Sequence, residues 1–148
     1  MSELQCKFYV SYLWDYLVYL SAPIIRRGNF SWAEATKNGN RIPATVEIEA
    51  NIIAMARTME EVRERLGGLP LTITSWYRDP ATNRRVGGAS QSTHLTGLAV
   101  DFYHPTLKPS EVRAQLENWW GDAGGLAHND RKGFTHIDQR GYKARWIY

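Results

Sequence analysis

The sequence predicts a mixed α and β domain, on three observations. A long apolar stripe at helical spacing runs through residues 44–66. Short β-rich runs recur after it, at 71–77, 98–103 and 134–139. Glycine, proline and asparagine punctuate the junctions between these segments, as turn chemistry requires.

Taken in chain order, residues 8–25 form an aromatic and apolar run broken by Asp15, with Glu3 and Lys7 ahead of it. It lacks the form of a secretory leader and is too polar and punctuated for a membrane span. An amphipathic packing segment is the favoured reading, membrane or partner contact the alternative. Residues 1–29 are therefore set apart as an N-terminal segment and 30–148 as the main body of one domain. Ser31 is placed to cap a short helix over 32–36, with Glu34 at the capping-box position. Asn38-Gly39-Asn40 makes a turn and Pro43 restarts the chain.

In the helix over 44–66, Ile48, Ile52, Met55, Met59, Val62 and Leu66 alternate steps of four and three, which aligns them on one face. The two methionines are core fillers, not a ligand pair. Gly67-Gly68 closes this helix and Pro70 lies just beyond. Residues 71–77 read as a central strand and 98–103 as a second. Residues 109–120 form another helix, with Ser110 as its cap and Trp119-Trp120 packing at its end. The segment 127–132 reads as a polar loop, 134–139 as a third strand, and 142–148 as an aromatic terminal segment that completes the sheet.

Composition limits the function. The 148 residues, 43% of them hydrophobic, can bury a sizeable core. A net charge of +3 is too small to argue for nucleic acid, and Arg84-Arg85 reads as a solvated loop face, with contact to a substrate carboxylate the lesser reading. The only cysteine, Cys6, excludes an internal disulfide and lies far in sequence from the chemistry described next, so no catalytic thiol is expected. A monomer without stable membrane insertion is expected. Six tryptophans and eight tyrosines exceed what such a core needs, so aromatics at a sugar–peptide substrate are an open explanation for part of them.

The chemistry concentrates in Ser92-Thr93-His94-Leu95-Thr96-Gly97-Leu98-Ala99-Val100-Asp101. Gly97 allows the chain to turn, and the apolar run after it reads as a buried strand carrying Asp101 back towards His94. A carboxylate ending a buried run calls for a partner or a metal. A second histidine appears in Gly133-Phe134-Thr135-His136-Ile137-Asp138, where period-2 alternation places Phe134, His136 and Asp138 on one face. His94, Asp101 and His136 form a three-ligand set that leaves a fourth position for water, the usual arrangement of catalytic zinc. Zinc is preferred over other divalent metals on ligand type.

These residues resemble the zinc D-Ala-D-Ala carboxypeptidases, peptidase family M15. That family's Ser-x-His-x-x-Gly-x-Ala-x-Asp pattern is matched by Ser92, His94, Gly97, Ala99 and Asp101. Its upstream Ser-x-Tyr-Arg is matched by Ser75, Tyr77 and Arg78, its linking Asn and Gly-Gly by Asn83 and Gly87-Gly88, and its downstream His-x-Asp strand by His136 and Asp138. The resemblance covers roughly residues 30 to 148. It implies a compact α+β, Hedgehog/DD-peptidase-like fold, with a small antiparallel sheet packed with helices around a zinc cleft. It also implies an enzyme acting on peptidoglycan stem peptides or cross-links, as carboxypeptidase, dipeptidase or endolysin-type endopeptidase.

Zinc on His94, Asp101 and His136 would bring the pKa of its bound water to about 7. Arg78, permanently charged, suits a developing oxyanion or a substrate carboxylate, and in the family the matching arginine has the transition-state role. Several branches of the family carry an acid three residues before the last histidine; here that position is Gly133. Asp138 is then the first choice of general base, with orientation of the His136 imidazole its other reading and Asp130 a weaker candidate. Ser92 either bonds within the metal loop or only caps its turn. His104 reads as a strand-end histidine near the cleft rim, and His128 as a solvated loop residue; substrate contact is the lesser reading of both.

The leading function is a zinc peptidase acting on peptidoglycan. The alternative is a non-catalytic, zinc-stabilised module that binds cell wall or protein. Without a recognisable leader, a cell-wall enzyme must leave the cytoplasm by another route, such as phage-type release.

Overall fold

The protein is described from a computed structural model, which covers residues 7–15 and 17–148; Glu3 and Cys6 lie outside the described residues. Its elements are β1 (Phe8–Val10), β2 (Leu17–Tyr19), α1 (Trp32–Ala35), α2 (Val46–Arg65), β3 (Thr72–Ser75), α3 (Pro80–Arg85), β4 (Ala99–Tyr103), α4 (Pro109–Trp120), β5 (Gly125–Asn129), β6 (Phe134–Asp138) and β7 (Ala144–Ile147). A 3-10 turn, Thr93–Thr96, precedes β4.

The architecture is α+β. Strands β1 and β2 pair as a separate antiparallel hairpin, while the main sheet has the order β3-β4-β6-β5-β7. Every neighbouring pair in that sheet is antiparallel except β5 with β7. The expected antiparallel sheet is thus a mixed one, and the strand expected at its centre, β3, lies at an edge. The terminal aromatic segment does complete the sheet, as β7.

A strand also occupies part of the expected polar loop. Gly125–Asn129 offers only Leu126 and Ala127 as apolar residues, too few for local propensity to decide. Pairing with β6 on one side and β7 on the other supplies the partners for its backbone groups.

Helix α2 forms for the reasons its stripe suggests. Thr45 Oγ1 accepts from the Ile48 amide at 3.2 Å, closing the first turn. Ile52, Met55, Met59 and Val62 are fully buried and join Val100, Phe102, Val112, Leu116, Leu126 and Ile137 in one core. Each such side chain contributes on the order of 1.5–3 kcal/mol of burial. Because Val100 and Ile137 face this core, the alternate positions Asp101 and His136 point to the opposite face of the sheet.

Two end-of-helix expectations divide. Ser31 and Glu34 form the anticipated capping box, with Glu34 N donating to Ser31 Oγ at 3.2 Å and Ser31 N to Glu34 Oε1 at 2.8 Å. Ser110 does not cap α4. Pro109 takes the first helical position, which puts Ser110 inside the first turn, where its amide donates to Asp130 Oδ1 at 2.8 Å.

The N-terminal segment packs into the same core through Tyr9, Val18, Leu20 and Ile24. Glu49, fully buried on α2, holds the turn after β1: its carboxylate accepts from Ser11 Oγ at 2.5 Å, Tyr12 N at 2.6 Å and Leu13 N at 3.3 Å. No helix among the described residues is long and apolar enough to cross a membrane.

Candidate metal centre

The loop that presents His94 is shaped by its neighbours in sequence. Ser92 Oγ accepts from the His94 amide at 3.3 Å, so the serine caps the 3-10 turn. Gly97 ends that turn at φ +80, and a Cβ there would come within 2.9 Å of Ile52 Cγ1 and 3.2 Å of the Ile48 carbonyl. Only glycine satisfies both the left-handed backbone and the close approach to α2. Strand β4 then delivers Asp101 directly opposite His136 of β6.

The result is a buried cluster of His94, Asp101 and His136 whose ligand atoms all lie within 4.8 Å of one another. His136 Nδ1 is 2.8 Å from Asp101 Oδ1, and His94 Nε2 is 3.2 Å from Asp101 Oδ2. The other nitrogen of each ring is occupied. His94 Nδ1–H donates to the Trp76 carbonyl at 2.7 Å, and His136 Nε2–H donates to Asp138 Oδ2 at 2.7 Å. These bonds assign the tautomers and leave His94 Nε2 and His136 Nδ1 as the inward lone pairs. His94 Nε2 is buried with no hydrogen-bond partner among the described residues, since its approach to Asp101 lacks hydrogen-bond geometry. An orphaned, inward-facing imidazole nitrogen beside a carboxylate is what a cation would satisfy.

The electrostatics agree. Burial, the largest influence on His94, pushes its pKa down, which favours the neutral, ligating form. Burial alone would raise Asp101, but the two histidines outweigh it and hold its carboxyl well below the usual range. For His136 burial lowers and hydrogen bonds to Asp101 and Asp138 raise; the bonds prevail and the pKa rises.

Asp138 sits behind His136 and is fully buried. Its Oδ1 accepts from Gly125 N at 2.9 Å and Arg140 Nε at 2.8 Å, and its Oδ2 pairs with Arg140 Nη2 at 2.7 Å. A Cβ on Gly125 would overlap this carboxylate, so the glycine makes room for it. Burial would raise the Asp138 pKa, but the bonds from Arg140 and His136 hold it well below the ordinary range. The expected face-sharing with His136 is present, while the side chain lies away from the open cleft.

That cleft, about 870 Å³, opens over the cluster. Arg78 reaches it from the segment after β3: its amide donates to the His94 carbonyl at 3.0 Å, Nη1 donates to Asn83 Oδ1 at 3.0 Å, and Nη2 stands 3.9 Å from Asp101 Oδ2. Asn83 is itself held by its Nδ2 bond to the Ala89 carbonyl at 2.9 Å. Gly88 packs so tightly there that a Cβ would overlap Asn83 Oδ1 and lie 2.7 Å from Arg78 Nη1.

Sequence reasoning missed Arg140, Trp146 and Tyr148, which also line the cleft. Arg140 lies over the Trp146 ring at 4.9 Å. Burial, and then the Asp101 charge, push the Tyr148 hydroxyl up to about 12, so it remains a donor. The aromatic run 142–148 was the available signal, and it read only as sheet.

The remaining candidates take structural places. His104 Nδ1 accepts from Leu107 N at 3.0 Å and its Nε2 meets the Leu66 carbonyl at 3.1 Å, bracing the loop before α4. His128 lies in β5 rather than in a loop, 3.3 Å from Arg113 Nη1. Asp130 serves the start of α4. Arg84 and Arg85 occupy the last turn of α3, not a loop, and are exposed.

Comparison with known proteins accords with this geometry. The zinc D-Ala-D-Ala carboxypeptidase of Streptomyces albus G is 31% identical over 79 residues, covering 50% of this chain and 31% of that enzyme. The chain therefore spans under a third of that relative's length. Two imidazoles and one carboxylate are a zinc donor set, and the relative is named a zinc enzyme, so zinc is the metal this centre takes. A family model for peptidase M15 matches residues 28–138, most of the chain, and the protein belongs to that family.

Proposed function

We propose that the protein is a zinc peptidase of Hedgehog/DD-peptidase-like architecture that hydrolyses peptide bonds in peptidoglycan stem peptides or cross-links. The domain proper runs from about residue 30 to 148, with the N-terminal segment packed on it. The observation that carries the reading is the buried triad with two preassigned lone pairs, one of them orphaned, at the floor of an open cleft.

In this reading His94 through Nε2, Asp101 and His136 through Nδ1 hold the ion. Zinc supplies there a water-derived nucleophile near neutral pH and polarisation of the scissile carbonyl. The Trp76 carbonyl and the Asp138 carboxylate keep the ring protons on the outward nitrogens, so both imidazoles present lone pairs without rearrangement. Arg78, braced by Asn83, donates to the oxygen on which charge develops.

Asp138 is assigned to orienting His136 rather than to taking the proton from water. All the hydrogen bonds it makes run to Gly125, Arg140 and His136, and burial separates it from the cleft. Asp101 is consequently the only carboxylate among the described residues lining the cleft. That observation favours a second reading, a zinc-stabilised module that binds wall peptide without cutting it.

Release of free amino groups from purified peptidoglycan separates the two. The zinc-loaded protein is expected to release amines and His94→Ala to release none. Binding of wall and zinc without any release establishes the module reading instead.

A further inference from the structure

Among the described residues, four cations line the cleft: Arg78, Arg131, Lys132 and Arg140. Two are committed within the fold. Arg78 stands against Asp101 and Asn83, and Arg140 chelates Asp138. The other two, on the turn joining β5 to β6, are exposed, and neither side chain has an anionic partner among the described residues. Neighbouring Asp130 forms no ion pair with either among the described residues, and its Oδ1 accepts instead from the Ser110 amide. The turn itself is fixed in place by Lys132 N donating to Asn129 Oδ1 at 2.9 Å and Gly133 N to the Asn129 carbonyl at 2.8 Å.

A pair of uncompensated cations held at one end of a substrate cleft is a specificity element: it favours an anion in that place and disfavours a cation. Its position relative to the reacting bond follows from the strand. His136 and Phe134 are two residues apart on one face of β6, and Lys132 lies two further on, through the turn. At about 3.3 Å per strand residue Phe134 lies roughly 7 Å from His136, and the turn begins one residue further, at roughly 10 Å. An extended peptide covers that distance in about three residues.

Resting on the peptidase reading above, we propose that Arg131 and Lys132 form a carboxylate-binding subsite. It engages an acidic residue about three positions from the bond that is cut, not the terminal carboxylate beside it.

The test uses L-Ala-γ-D-Glu-L-Lys-D-Ala-D-Ala, its D-Glu α-carboxamide analogue and its C-terminal amide. Binding is read from tryptophan fluorescence of the zinc-loaded protein and cleavage from kcat/KM. Loss of the interior carboxylate is expected to weaken binding about five- to tenfold, the size of one or two partly exposed ion pairs, with a smaller effect at high salt. The double variant Arg131→Glu/Lys132→Glu is expected to reverse that preference. Equal affinity for the acid and the carboxamide, a preference set by the terminal carboxylate alone, or a preference untouched by the charge reversal overturns the subsite. If the wild type cleaves none of the peptides, the peptidase reading fails for this substrate class. The ratio of binding constants still decides the subsite in that case.

Discussion

Asp138→Asn separates the two roles open to that residue. In the wild type the carboxylate accepts the His136 Nε2 proton at 2.7 Å, leaving the Nδ1 lone pair facing Asp101 and the metal position. The amide can keep its oxygen on Gly125 N, in place of Oδ1 at 2.9 Å, but it then presents N–H groups to Nε2. Two donors cannot share that contact, so the ring proton shifts to Nδ1 and the ligating lone pair is lost. Zinc affinity should fall roughly ten- to a hundredfold, about 1.4 to 2.7 kcal/mol, as losses of such orienting partners do. Arg140 also loses its anionic partner. Its side chain is 25% exposed, so water recovers part of that loss and about 1–2 kcal/mol of stability should go. Competition with a chromophoric chelator gives the zinc constant, and turnover at saturating zinc gives kcat. A zinc constant within twofold of wild type, with kcat down a hundredfold or more, would refute the orienting role and restore Asp138 as general base.

The same residue has a pH signature. Its folded pKa is depressed, so its stabilisation is fully present above the unfolded value of about 3.9 and is lost as pH falls through the lower folded value. The Tm gap between wild type and Asp138→Asn, measured on metal-free protein, should therefore close in strong acid, and it should also narrow as rising pH removes the proton from His136, whose pKa Asp138 helps to raise; a gap that widens below about pH 4 contradicts the assignment. Gly88→Ala forces its methyl against Asn83 and Arg78, so kcat should drop about a hundredfold with the zinc constant preserved, read by the same two assays. Gly97→Ala meets both a φ of +80 and the Ile52 side chain and should cost about 2–3 kcal/mol in denaturant unfolding; a loss under 0.5 kcal/mol would show that the loop can move off α2. Glu49→Ala strips the acceptor from Ser11, Tyr12 and Leu13 and should cost about 2–3 kcal/mol, with faster amide exchange at Tyr12 and Leu13 while the main sheet stays protected.

What could be read in the chain is what short-range patterning encodes. The α2 stripe, the Ser31–Glu34 box and the strands that carry Asp101 and His136 depend on spacing and local chemistry, and they stand where spacing puts them. The three metal candidates were legible for a related reason. His94, Gly97 and Asp101 lie within one turn and strand, and a buried histidine and aspartate announce themselves in apolar company.

Long-range pairing was not legible. The sheet order put β3 at an edge and enlisted β5, because β5 gains its backbone partners from strands far along the chain rather than from its own residues. The N-terminal run gave no hint that it would fold as a hairpin fastened by a carboxylate 38 residues from Ser11.

The sequence by itself thus determined α1, α2 and α4, the turn glycines and the residue types of the metal donors, since each depends on neighbours a few positions apart. Only the tertiary structure decided what Asp138 faces, how Asn83 and Gly88 brace Arg78, and that Arg140, Trp146 and Tyr148 reach the cleft. Those relations depend on the register of β6 against β4 and β5 and on the parallel docking of β7, and register is set by the packing of the whole sheet.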